Sequence, residues 1–516
     1  MLARATTFTL LGIDGIRVTV EADIHTGLPS FTIVGLGDAA VQESRERVRA
    51  ALVNSGFDFP LKRITVNLAP ADLRKAGPAF DLALAAGLLA ASGQAPPDRL
   101  AGHAFCGELG LDGSVRRVRG AIAMADAAAT AGCEGIVVPP DNAGEAALVG
   151  GLDVVPVGTV RELAAFLAGD GPPVAERLDA RDWLAADPPE GEDFAQLRGH
   201  RALKHALEVA AAGNHNVLMM GPPGSGKSMA ARRLPSIMPP LSFGDALEVT
   251  RIHSVAGVLG PAPLVQRRPF RAPHHSISAP GLVGGGGPPS PGEASLAQHG
   301  VLFLDELSEF ARPALEALRQ PLEEGCVRVT RAQRTVSFPA RFLLAAATNP
   351  CPCGYQGDPR RQCCCHPSVA SRYRARLSGP LLDRIDMILR VEQPRAKDVM
   401  AEAEPEGSRT IRERVLAARA VQERRLRGSP AACNAHMTHA QLRRVANLEP
   451  AARAALHDAH ERAGLTMRGH DRVLRVARTL ADLDGSDRVL RRHVAQAVAY
   501  REPPPVLDGA VAGMLV

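Results

Sequence analysis

A parallel α/β sheet with crossover helices, followed by a helical unit, is the fold class this sequence predicts, and three observations carry it. Between residue 194 and about 390, short apolar β-like runs (216–220, 301–304 and 342–346) alternate with helix-length segments. That is the pattern of strands buried on both faces and joined by helices. The first run feeds a glycine-rich loop, and a helix-compatible stretch, 229–234, follows it. Beyond about 391, Leu, Val and Ala recur at three-to-four spacing with Arg between them, over 409–427 and 471–483, which predicts amphipathic helices.

Composition bounds the rest. The chain has 516 residues, 60 Lys+Arg against 55 Asp+Glu, 46% apolar residues, 49 Gly and 41 Pro, which excludes a disordered chain, a collagen and a small disulfide scaffold. At ~100–200 residues per domain, about three domains are expected. The first is 1–169. A Pro-rich linker with eight acidic residues and the single Trp, Trp183, spans 170–193. The α/β unit is 194–390, the helical unit 391–501, and 502–516 a tail that begins among three prolines. A net charge of +5 permits a polyanionic partner, while 3% aromatic content argues against base stacking as the recognition device. Residues 390–500 hold 21 Lys+Arg and 14 Asp+Glu, so the first two units together are slightly acidic. No secretory signal pattern opens the chain and no charge-free apolar stretch of ~18 residues interrupts it, so a cytoplasmic protein with no membrane span is expected.

Only five lysines occur, at 62, 75, 204, 227 and 397, so a lysine in a special place stands out. Gly221-Pro222-Pro223-Gly224-Ser225-Gly226-Lys227-Ser228 has the spacing of a Walker A loop in its strand-loop-helix setting. Its glycines let backbone N–H groups turn towards phosphates, Lys227 reaches the β/γ oxygens, and Ser228 offers a hydroxyl to Mg²⁺. The run 301–304 ends in Asp305-Glu306. Asp305 is expected to position Mg²⁺, and Glu306 to orient or deprotonate the attacking water. The run 342–346 ends in Thr348-Asn349, and Asn349 is the candidate γ-phosphate sensor. Together these residues imply ATP hydrolysis.

The run 268–275 (RPFRAPHH), the run 291–300 (PGEASLAQHG) before Asp305-Glu306, and 377–386 (LSGPLLDRID) resemble the magnesium-chelatase-like branch of the AAA+ ATPases. With the first unit included, the order resembles the YifB/ComM family over nearly all of residues 1–500. The resemblance implies that Arg384 is an arginine finger offered to a neighbouring subunit, in a head-to-tail ring expected to be a hexamer. It implies a C-terminal helical lid whose second sensor is Arg468, with Arg472 the competing choice. It implies a structural zinc on Cys351, Cys353, Cys363 and Cys365, stiffening an insertion at 351–366 near Asn349; Cys364 is surplus and His366 a possible substitute ligand. Five of the nine cysteines falling between 351 and 365 fit metal rather than disulfides in a reducing compartment.

Two alternating strands, 327–330 and 335–338, flank the basic turn 331–334 and predict a β-hairpin. In related ring motors such a hairpin enters the central channel, so Arg328, Arg331 and Arg334 are candidate contacts to DNA phosphates. The first unit resembles the α+β proteolytic domain of the Lon family from 20 to about 142, but the nucleophile position falls on Ala79 and the partner lysine on Ile122. Without hydroxyl or amine, peptide hydrolysis is excluded by that alignment. Ser44, Ser55 and Ser92 are expected to be surface or capping groups. The resemblance implies a Mg²⁺-dependent ATPase ring translocating on single-stranded or branched DNA, a branch-migration helicase in recombination and natural transformation. A chelatase motor for metal insertion into tetrapyrroles, or a protein-remodelling chaperone, are the alternatives.

Overall fold

The computed structural model describes residues 1–170, 174–175, 191–287, 289–331, 334–377, 379–394, 396–401, 405–463 and 465–501. Most of the expected linker, the expected tail and the hairpin tip at 332–333 lie outside the described residues.

Residues 1–170 form a seven-stranded mixed sheet. Its strands are β1 (Leu2–Leu11), β2 (Asp14–His25), β3 (Ser30–Val34), β4 (Arg63–Ala69), β5 (His103–Phe105), β6 (Gly135–Val138) and β7 (Asp153–Pro156), in the order β3-β4-β2-β1-β5-β6-β7. β1 and β2 pair antiparallel from Leu2 opposite Asp23 to Leu11 opposite Asp14. The two-residue turn between them starts at Gly12 with φ +67°, the left-handed position that a type II′ hairpin turn reserves for glycine. Helices α1 (Ala39–Asn54), α2 (Asp81–Ala91) and α3 (Ala121–Thr130) cover the sheet. Every residue of α2 is buried, so its one charge, Asp81, needs a partner: Arg47 donates to it through Nε at 2.8 Å and Nη2 at 3.2 Å. Arg47 also donates to Ser44 at 2.9 Å. Ser44 is therefore a buried member of this network and not the surface group expected from sequence, whereas Ser55 and Ser92 do sit at helix C-caps.

The second unit is a five-stranded sheet. β8 (Val217–Met220), β9 (Phe270–Arg271), β10 (Val301–Leu304), β13 (Leu343–Thr348) and β14 (Met387–Arg390) lie in the order β9-β10-β13-β8-β14, every pairing parallel. Between β10 and β13 runs a hairpin of β11 (Cys326–Arg331) and β12 (Arg334–Pro339). Its alternating residues Val327, Val336 and Phe338 are buried. The strands extend one residue beyond expectation on each side, so Arg331 and Arg334 form the last ladder pair and not the turn. The alternation of apolar and polar residues covers only 327–330 and 335–338, so the last pair extends the backbone ladder beyond the apolar pattern.

Helices α4 (Arg201–Gly213), α5 (Lys227–Ile237) and α6 (Phe243–Ala256) belong to this unit, and α7 (Ser408–Leu426), α8 (His439–Val445), α9 (Pro450–Ala463), α10 (Met467–Leu483) and α11 (Arg491–Ala499) follow it. One apolar cluster joins the sheet residues Val217, Met219 and Ala345 to Val415, Leu442, Val473 and Val494 of the later helices. Polar seams pin the same contact: His215 Nε2 lies 2.7 Å from Thr479 Oγ1, and Gln422 donates to the Ala212 carbonyl at 3.0 Å.

The first unit docks on α6. Gly120 N–H donates to Ser254 Oγ at 3.1 Å, the Ser254 hydroxyl donates to Glu145, Arg251 pairs with Asp126, and Arg117 donates to the Leu259 carbonyl at 3.3 Å. Its Gly12 turn also abuts the hairpin, since a Cβ there would lie 2.5 Å from Val336. Glu145 is 2% exposed, and burial pushes its pKa above the ordinary glutamate value, against the hydrogen bonds from Ser254 and Asn142. The folded state therefore holds a proton that the unfolded state has released, and stability falls as pH rises from the ordinary glutamate range through the raised value. Glu145→Gln is expected to lower stability by about 1–2 kcal/mol through a mismatched donor and to flatten that slope. Melting temperatures of both proteins across the weakly acidic range check this.

Candidate nucleotide site and four-cysteine cluster

Because β8, β10 and β13 run parallel, the segments that leave their carboxyl ends emerge on one edge of the sheet, where α/β folds bind ligands. The loop after β8 needs its glycines. A Cβ on Gly221 would lie 2.1 Å from the Val391 carbonyl, and Gly224 and Gly226 take φ of +73° and +83°. Helix α5 then starts at Lys227, so its free N–H groups face the loop. Lys227 is 8% exposed. Its Nζ donates to the carbonyls of Gly221 and Pro222 at 2.8 Å each, and lies 3.4 Å from both Ser225 Oγ and Asn349 Oδ1. Burial lowers its pKa from the ordinary lysine value and nearby Asp305 opposes that shift. An ammonium held by carbonyls in a glycine cradle is the donor set that a triphosphate requires.

Ser228 Oγ donates to Asp305 Oδ2 at 2.6 Å, which brings together the hydroxyl and carboxylate that suit a hard divalent cation. Glu306 follows with φ +52°, a left-handed conformation that is strained for a side chain of this kind. Its N–H donates to Asp305 Oδ1 at 3.0 Å. Its carboxylate lies 3.4 Å from His275 Nδ1, and the His275 ring lies tilted against that of His274, with centroids 4.1 Å apart. The loop 221–228, Asp305, Glu306 and Asn349 are thus one cluster. The part of His275 is invisible in sequence, where it is one letter in the run 268–275; its contact is made across the sheet edge.

Arg384 and Arg468 are not in that cluster. The Arg384 carbonyl accepts from Asn216 Nδ2 at 3.0 Å, and Asn216 precedes β8, whereas the glycine loop leaves its far end. Four residues of strand, about 13 Å, separate the two edges. The Arg384 guanidinium is held by Glu323 and the Pro380 carbonyl, and Arg468 lies 3.8 Å from the same Glu323. Arg472 lies 3.8 Å from Asp386 and donates to the Ile385 carbonyl at 3.3 Å. Its side chain is 13% exposed against 68% for Arg468. A cavity of 1020 Å³ opens here, lined among others by Arg268, Glu323, Arg341, Arg384 and Arg472. On the hairpin, Arg328 is exposed and lies 3.2 Å from Glu324. The side chains of Arg331 and Arg334 are outside the described residues.

The segment after Asn349 folds back. Sγ of Cys351 lies 3.4 Å from Cys353 and 3.6 Å from Cys363, Cys353 and Cys363 are 3.5 Å apart, and with Cys365 all four lie within 4.8 Å of one another. Tetrahedral zinc with Zn–S of about 2.3 Å asks for sulfurs at nearly this spacing, so the donors fit a metal. Cys364 is exposed and outside the group of four sulfurs, and His366 caps a helix with Nδ1 2.8 Å from Ser368 Oγ. This segment leans on the glycine loop. A Cβ on Gly354 would lie 2.4 Å from Pro223 Cδ; from beyond β14, Gln393 donates to the Pro223 carbonyl at 3.1 Å.

Comparison with known proteins agrees along the chain. Family models described as "Magnesium chelatase, subunit ChlI", "Subunit ChlI of Mg-chelatase" and "Magnesium chelatase, subunit ChlI C-terminal" match residues 193–399, 20–142 and 405–501. Protein Rv2897c of Mycobacterium tuberculosis is 46% identical over 97% of this chain and 99% of its own length. YifB of Escherichia coli is 42% identical over 95% of each chain, and the competence protein ComM of Haemophilus influenzae 41% identical over 95% of this chain and 96% of its own. Among the described residues no helix is long and apolar enough to cross a membrane. With three family models in order and relatives matched end to end, this chain belongs to the YifB/ComM branch of the magnesium-chelatase-like AAA+ ATPases.

Proposed function

We propose that this protein is a ring-forming, Mg²⁺-dependent ATPase that translocates on DNA, a branch-migration helicase serving recombination and natural transformation. Family membership implies ATP and Mg²⁺ use and an oligomeric assembly; the name of the ComM relative speaks for competence. One observation carries the reading of mechanism: the glycine cradle, Asp305, Glu306 and Asn349 sit at one edge of the sheet, while Arg384 and Arg468 sit together at the other. A finger that cannot reach the phosphates of its own chain completes the site of a neighbour, which requires a head-to-tail ring, here read as a hexamer.

In each shared site Lys227 and the loop amides bind the β- and γ-phosphates, and Ser228 with Asp305 would hold Mg²⁺, which screens phosphate charge when bound. Glu306 aligns water, Asn349 senses the γ-phosphate through its contact with Lys227, and the guanidiniums of Arg384 and Arg468 stabilise the transferring phosphoryl group from the adjacent subunit. Arg472 is the poorer second sensor, since Asp386 already engages it. Glu306 must leave His275 to work, so the pair in the structure is a resting arrangement. The helices after 408 act as the lid. Arg328, Arg331 and Arg334 grip DNA phosphates by charge. Cys351, Cys353, Cys363 and Cys365 would hold a structural zinc that braces the segment against Pro223. Residues 1–169 serve as a Lon-like scaffold, with the buried apolar side chains of Ala79 and Ile122, 7% and 3% exposed, at the positions of the lost dyad.

Four sets of outcomes are expected. Lys227→Ala loses nucleotide binding, while Glu306→Gln binds ATP with turnover down roughly 10²–10⁴-fold. Arg384→Ala keeps rings but loses turnover, and mixing it with Lys227→Ala subunits restores part of the activity because some interfaces then contain both intact halves; full activity of Arg384→Ala alone sinks the shared site. Stoichiometric zinc survives extensive dialysis of reduced protein and is lost in Cys351→Ser, as metal analysis would record. Branched DNA stimulates hydrolysis with an effect that fades steeply with salt, whereas stimulation only by a porphyrin with partner subunits would establish the chelatase alternative.

A further inference from the structure

A groove of 920 Å³ lies in the C-terminal helices, between the last turns of α7, α8 with the turn after it, and the start of α9. Six arginines line it, and Asp487 is the one acidic residue among its lining. Two of the six form the floor and are neutralised in part: Arg425 Nη2 lies 2.6 Å and Arg478 Nη2 2.9 Å from Asp482. The Arg478 guanidinium spends its other donors on the carbonyls of Asp487 and Ser486. Asn447 fixes the wall by donating to the Asp487 carbonyl at 3.0 Å. The remaining four, Arg424, Arg443, Arg444 and Arg453, are exposed, and among the described residues no acidic side chain pairs with their guanidiniums.

Other arginines of these helices, Arg409, Arg427 and Arg491 among them, also have no acidic partner among the described residues, but they do not line the groove; several others are paired. Arg414 is paired with Glu208 and Glu406, Arg425 with Asp482, Arg472 with Asp386, and Arg492 with Asp484. Four like charges gathered on one concave surface without counter-charge repel each other and create a strongly positive potential. A guanidinium fork matches phosphate in two-pronged geometry. One phosphate would satisfy one or two forks, so four forks on three helices call for phosphates in series. No aromatic residue lines the groove, which removes base stacking and leaves backbone contact without sequence preference.

We propose that this groove is a second nucleic-acid track, which holds the phosphodiester backbone of DNA away from the hairpin. The inference deepens the DNA reading above and rests on it, but stands on residues that belong neither to the hairpin nor to the nucleotide site.

The test compares full-length wild type, the triple variant Arg424→Gln/Arg443→Gln/Arg444→Gln, the corresponding triple lysine variant, and Arg328→Gln. Binding of a fluorescently labelled DNA duplex and single strand is read by anisotropy between about 50 and 200 mM salt. For the glutamine triple, the slope of log affinity against log salt on duplex is expected to fall by about 0.9 for each phosphate left without its arginine, with affinity at the middle of the range down about tenfold or more. Its ATPase rate without DNA and its melting temperature stay at wild-type values, and the lysine triple keeps the wild-type slope because the charges remain. Unchanged slope and affinity in the glutamine triple, while wild type binds and Arg328→Gln is weakened, would overturn the track alone and leave the DNA reading standing. A reduced slope in the lysine triple as well, or a lowered melting temperature in both triples, would assign the arginines to packing and overturn the track. Absence of DNA binding by wild type would remove track and DNA reading together.

Discussion

The parallel register of β8, β10 and β13 is the constraint on which the rest depends. Val217 pairs beside Ala345 and Val301 beside Leu343, so β8 and β13 end level and β10 ends two residues short of them. Lys227, Asp305 and Asn349 can meet because all three strands leave the sheet at this one edge. A slip of one residue would turn alternate side chains to the other face and carry Asp305 away from Ser228. The strands are short and every residue of β10 and β13 is buried, with Ala345, Ala346 and Ala347 allowing helices to approach closely. The sheet is therefore rigid where the chemistry needs fixed distances, and the glycine loop is free to take the backbone angles that side chains would forbid.

A sheet with all its strands in one direction has two unlike edges, and here they carry different groups. At the carboxyl edge a buried ammonium and a hydroxyl–carboxylate pair face outward; at the amino edge two arginines converge on Glu323 beside a large cavity. Arg384 is held there by Glu323 and the Pro380 carbonyl, while the more exposed Arg468 lies 3.8 Å from the same Glu323. Arg384 with Glu323 and Glu306 with His275 are of the same kind: each is a pair between charged or polar side chains at an edge of the sheet.

Around this centre, the attachments are polar and local. The cysteine segment touches the glycine loop at Pro223, and the first unit touches α6 and the hairpin through Ser254, Glu145 and Gly12. The Pro223 contact lies beside the glycine loop and the Gly12 contact beside the hairpin, whereas the Ser254 contact is to α6.

Much of the site was legible in sequence because its signals are local. A glycine-rich loop between strand and helix, or two carboxylates at the end of an apolar run, declare themselves within ten residues, since the chemistry and the backbone geometry are imposed on neighbours. The four cysteines came from resemblance, but their separation from Cys364 and His366 was open until the fold placed the sulfurs. Arg468 and Arg472 are one helical turn apart and alike in sequence; only burial against Asp386 tells them apart. The pairing of His275 with Glu306, the burial of Ser44, the opposite-edge position of Arg384 and the unpaired arginine groove had no sequence signal, the last hidden in a chain where nearly every cation is Arg. By itself the sequence determined the local chemistry, the loop, the acids and the helical periodicities, because these depend on residues adjacent along the chain. Only the tertiary structure decided which of those groups face one another and which are left without a counter-charge, because both are set by long-range packing between strands and helices.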